Sequence, residues 1–181
     1  MTSPVPGTGP GMKRTPLGVS GKGRRGISTF GWALRGAAAG AAGSTALNAV
    51  TYLDMAVRGR GTSSTPEDTV EQLAARAHVP IPGGGETRQN RLQGLGPLVG
   101  LVAGVGVGTI GGLARASGFL SAKPVGIALT TLGVMVAANG PMTVLGVTDP
   151  RTWSAKDWIS DIVPHLAYGV VVKNTIDAFD R

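Results

Sequence analysis

Charged residues cluster along this chain, and the apolar intervals between clusters predict long helices. Residues 92–114 form a run of 23 without a charge. As a helix that run is roughly 34 Å long, more than the ~30 Å hydrocarbon core of a bilayer. Residues 124–148 give a second uncharged run of 25, bracketed by Lys123 and Asp149, and Pro124 suits the first helical turn because its missing N–H would be unpaired there anyway. Residues 36–53 form a third, of 18 small and weakly apolar residues between Arg35 and Asp54, which predicts a span over 34–56. The fourth segment, 155–175, is ambiguous. Its uncharged stretch, 162–172, has only 11 residues and follows Asp161, a length that suits a re-entrant or interfacial helix. Trp153 and Trp158 at one end, with Lys173 and Arg181 at the other, favour a polar-faced span packed inside a bundle. The expected fold is all-α, a polytopic transmembrane four-helix bundle.

Between the first two spans, residues 58–91 read as an external polar loop carrying one short helix over 66–77. Thr65 suits its N-cap, Pro66 its first position, and Asp68 would close a capping box. Val70, Leu73, Ala74 and Ala77 share one face, which would lie on the membrane surface or on the bundle. VPIPGGG ends the helix, and His78 beside it reads as a partner for the C-terminal dipole rather than as a ligand.

Residues 1–29 carry Lys13, Arg14, Lys22, Arg24 and Arg25 with no acid, in a Gly-, Pro-, Ser- and Thr-rich context. They predict a disordered basic cytoplasmic tail ahead of a membrane domain over 30–181. Anionic lipid headgroups would attract it by about 1 kcal/mol per basic residue near the surface. Nucleic acid is not an expected partner, since no aromatics interleave the cations. With the N-terminus inside, ten Lys and Arg lie on cytoplasmic segments against seven outside, which places both termini in the cytoplasm. Arg24 and Arg25 also permit a twin-arginine signal peptide cleaved near Ala46, a reading that the three following spans disfavour.

The 181 residues are 42% hydrophobic and 15% charged, with 30 Gly and a mean hydropathy of +0.17. That is greasier than a typical soluble domain. The absence of Cys excludes disulfide scaffolds, thiolate metal sites and Cys nucleophiles. Two His and ten carboxylates supply little for a catalytic centre, and no nucleophile elbow, zinc-protease motif or phosphate loop is present. Neither an enzyme nor a cofactor is expected.

Two patterns carry physics. Gly96, Gly100, Gly104, Gly108 and Gly112 recur at every fourth residue, with Gly106 and Gly111 nearby, and Gly36, Ala39, Gly40 and Gly43 offer a matching surface. Such a ladder lets helix backbones approach closely in lipid, as packing within one chain, at a homo-oligomer interface or around a pore. Asp157, Asp161, His165, Gly169 and Lys173 share one face of the last helix. Ser154 and Asp157 fit a capping box, whereas His165 lies about 12 Å further along the axis. Asn48, Asn139 and His165 would sit at similar depth, so Asn48, Asn139, Asp161 and His165, with Asp54 near the mouth, form a candidate polar cluster. Pro164 adds a carbonyl, that of Ser160, which needs a partner. The cluster reads either as a proton- or ion-responsive site or as hydrogen bonding between helices.

The segment PMTVLGVTDPRTWSAKDWISDIVPHLAYGVVV, through Pro141, Gly146, Thr148, Pro150, Trp153, Asp161 and His165, resembles the end of the YagU-type family of small bacterial inner-membrane proteins. The likeness covers the C-terminal third; the glycine ladder and long basic tail depart from it. It implies a four-helix protein of the bacterial inner membrane and no particular chemistry. The expected function is a structural or accessory subunit of a membrane assembly, with a membrane protein or a second copy as partner. The alternative is a small homo-oligomeric channel or a proton- or ion-responsive transporter.

Overall fold

The computed structural model describes residues 27–119 and 122–181. The tail expected over 1–29 thus lies outside the described residues as far as residue 26. All regular structure among the described residues is helical: α1 (Thr29–Arg58), α2 (Thr65–Arg76), α3 (Gly85–Ala116), α4 (Lys123–Val144), a 3-10 turn (Pro150–Thr152) and α5 (Ala155–Ala178). α3 and α4 are each long and apolar enough to cross a membrane.

Contacts between glycines fix the directions of the long helices. Gly36 of α1 meets Gly108 and Gly112 of α3, and Gly40 meets Gly104, so the two run antiparallel. Gly43 abuts Tyr168 and Val172, while Arg58 reaches Ser160, so α5 is antiparallel to α1. Gly169 meets Ile127 and Thr131, and Asn139 meets Asp161, so α4 is antiparallel to α5. Trp32, Ala39, Val134, Tyr168, Val172 and Ile176 form the buried core. Many large apolar side chains point outward, among them Val57 at 77%, Val102 at 71% and Val144 at 74% exposure. Small residues face in: Gly36, Ala39, Gly40, Gly43 and Ser44 are buried on α1, as are Gly104, Gly108 and Gly112 on α3.

Several boundaries differ from the sequence reading. α2 starts at Thr65, so its N-cap is Ser64 rather than Thr65. The expected box is replaced by the Ser64 hydroxyl donating to Asp68 at 2.9 Å and the Thr65 N–H donating to the Ser63 hydroxyl at 3.2 Å. α3 begins at Gly85, not near residue 92, because its polar first turns are held from outside: Arg88 pairs with Glu71 of α2 at 2.7 Å. α4 ends at Val144 although the uncharged run continues to Thr148. Gly146 there takes a left-handed φ of 75°, and its N–H and that of Val147 donate to Thr143 and Met142, closing the helix. On the predicted apolar face of α2, Val70 is buried while Leu73 is 41% exposed. α2 lies across one end of the molecule, with Pro66 and Glu67 on Gly96 and Arg76 donating to the Val144 carbonyl.

Candidate functional site

Three of the expected cluster residues meet. The start of α5 is set by the predicted capping box, in which the Ser154 N–H donates to Asp157 at 2.9 Å and the Asp157 N–H returns to the Ser154 hydroxyl at 3.3 Å. One turn on, Asp161 faces α4 and accepts from the Asn139 amide at 2.9 Å. One further turn places His165, a buried residue, with Nδ1 at 2.7 Å from the Asp161 carbonyl oxygen and 3.4 Å from its carboxylate Oδ1. A carbonyl only accepts, so in this contact Nδ1 is the donor to the Asp161 carbonyl oxygen. A carboxylate held by an amide donor beside an imidazole can share or pass a proton, and it equally ties α4 to α5.

Asp54 does not join this group. It accepts from Arg58 at 3.1 Å and from Arg60 at 2.6 Å, and Arg58 in turn donates to the Ser160 hydroxyl at 3.0 Å. This ion-paired chain ends at the residue before Asp161. Asn48 lies between Gly43 and Arg58 on α1 and so at about the level of His165, but it is exposed, and no hydrogen bond among the described residues reaches it. Depth along a helix follows from residue number, whereas facing depends on the helix rotation, and the two asparagines face differently.

The ladder divides. A Cβ on Gly108 would stand 2.5 Å from the Gly36 carbonyl oxygen, one on Gly104 would collide with the Ser44 hydroxyl, and one on Gly112 with the Trp32 carbonyl. These three press on α1. Gly96 presses on α2 instead, with Pro66 at 2.9 Å, and Gly100 and Gly106 face open space. Tyr168 went unnoticed in the sequence. It is fully buried, and its hydroxyl donates to the Gly104 carbonyl at 2.6 Å across the α1–α3 seam. Its spacing from Asp161 and His165, seven and three residues, would have put it on their face. At the opposite end, Arg115 pairs with Asp180 and lies 5.2 Å over the Trp32 ring, and Arg35 lies over Trp32 and Phe179 at 5.5 and 5.8 Å. Among the described residues no three metal-ligating side chains converge. Comparison with protein-family models, with characterised proteins and with solved structures finds no match to this chain.

Proposed function

We propose that the chain is a four-span protein of the bacterial inner membrane that serves as a helical structural or accessory subunit. The observation that carries this reading is the inverted packing. Glycine, alanine and serine fill the seams of α1 and α3, while large apolar side chains cover the outside of all four long helices, including Phe30 and Leu53 on α1 and Ile159 and Val163 on α5. Water would penalise that surface, and lipid would not. α1 and α5 lack a continuous stretch as apolar as those within α3 and α4, and in this reading they join the membrane by packing beside them. The resemblance of the C-terminal third to the YagU-type family points to the same four-helix topology. Tyr168, Val172 and Ala39 fill the interior, which favours packing over conduction through a single chain. Purification in native lipid with mass measurement tests the reading. A copurifying membrane partner supports the accessory role, and a homo-oligomer that conducts ions overturns it.

The Asn139–Asp161–His165 group favours a second reading, a proton-responsive element. His165→Gln keeps hydrogen bonding without titrating. Under this reading the variant loses any pH-dependent phenotype while its membrane level stays normal; an unchanged pH response leaves the group as a tie between helices.

A further inference from the structure

Toward the end of the molecule where Arg115, Lys123 and Lys173 lie, residues of α3, α4 and α5 leave a gap between the three helices. The result is a cleft of about 400 Å³, within the size range of ligand pockets. Its walls are apolar over most of their length, with Val107 and Ile110 on α3 facing Gly133 and Val136 on α4. Arg115, Lys173 and Asp177 close one end. We propose that this cleft holds one acyl chain of an anionic glycerophospholipid, with its headgroup at the basic end.

Three features select that occupant. The first is depth: from Arg115 to Val107 is eight residues, about 12 Å along the axis, close to one leaflet of a ~30 Å hydrocarbon core. The second is polarity that changes from charged to apolar along the cleft, as a lipid does from headgroup to tail. The third is charge. Lys173 is paired with Asp177 at 2.5 Å and Arg115 with Asp180, yet this end of the described chain carries Arg35, Arg115, Lys123, Lys173 and Arg181 against only those two carboxylates. Lys123 makes no ion pair among the described residues and stands one turn before Gly126 of the cleft wall. It opens α4, whose N-terminus has no side-chain cap. Free amides and a lysine together attract a phosphodiester.

The inference rests on the membrane reading, and the two fail separately. Extraction of the protein from membranes by alkaline carbonate would refute the membrane reading, while lipid selectivity reports on the cleft alone. Detergent-purified full-length protein is titrated with phosphatidylglycerol or phosphatidylcholine and the bound lipid is read by native mass spectrometry. One phosphatidylglycerol should be retained about tenfold more tightly than phosphatidylcholine. Gly133→Leu should abolish retention: a Cβ there meets only Val107, at 3.5 Å, so the added side chain enters the cleft without displacing backbone. Lys123→Gln, at an exposed helix end, should erase the preference between lipids while leaving the fold intact. Equal retention of both lipids by the parent chain, full retention by Gly133→Leu, or displacement of the lipid by inorganic phosphate would each overturn the assignment. So would a second protein chain protecting an introduced Cys at Gly133 in place of lipid.

Discussion

His78 holds a left-handed backbone, φ 55°, at the end of α2. Its N–H donates to Ala75 at 3.2 Å and that of Val79 to Ala74 at 3.0 Å, the pattern with which α3 closes at Gly118 and α4 at Gly146. The sequence reading of His78 as a dipole partner thus missed its backbone role, because a side chain with a Cβ seldom takes this position. Left-handed φ costs a non-glycine residue roughly 1–2 kcal/mol, so His78→Gly should stabilise the protein by about 1 kcal/mol, read as a higher Tm by circular dichroism. Asp149 offers a second test at this scale. Arg151 grips its carboxylate with Nε and Nη2, both at 2.9 Å, and donates its backbone N–H at 3.0 Å, holding the carboxyl below the usual range. A depressed folded pKa means that the contribution of this turn is complete above the ordinary carboxylate value, near 4, and is lost as pH falls through the lower one. Trp153 ends the turn, its indole N–H bonded to Thr148 at 2.9 Å and its ring 5.1 Å from that of Trp158. Tryptophan emission should therefore stay constant from neutrality down to about pH 4 and change only below it, and Asp149→Asn should remove that acid transition.

Among the helices, the fourfold glycine spacing was legible as a packing face, and the partner of each glycine was not. Two straight helices that cross stay in contact for only a few turns. Gly104, Gly108 and Gly112 fall within the crossing with α1, Gly100 falls beyond it, and Gly96 is covered by α2 arriving from a loop whose path no periodicity encodes. The same reasoning separates Asn139 from Asn48. α4 turns one asparagine onto Asp161, and α1, rotated to put its glycines on α3, carries the other outward. Gly104→Leu should thus drive α1 and α3 apart and displace Tyr168, at a cost of about 1–3 kcal/mol or more, since the new side chain would run into Ser44 of α1 and the buried Tyr168 ring. Gly106→Leu, facing open space, should cost well under 1 kcal/mol. Reversible unfolding in mixed detergent measures both, and equal losses would remove any special role for the α1–α3 seam.

At the scale of the whole molecule the two ends are chemically unlike. Among the described residues, one end gathers the starts of α1 and α4 and the close of α3 and α5, with five cations and two carboxylates; the other, beneath α2, carries seven cations and eight carboxylates and is held by local pairs such as Arg58–Asp54 and Arg88–Glu71. The chain order alone supplied the count of Lys and Arg on each side. It did not show that the acids concentrate where the cations are already paired, because that depends on which helix ends meet. Cytoplasmic segments are rich in Lys and Arg, and with the five basic residues that precede α1 in the sequence the first side holds ten against seven, so the first end should face the cytoplasm. A Cys introduced at Ser117, beside Arg115, should then be labelled by a membrane-impermeant reagent only after the cells are opened. One at Ser64, which precedes α2, should be labelled in intact cells. The reverse pattern would invert the protein in the membrane, and labelling of both sites in intact cells would show that α3 does not cross it.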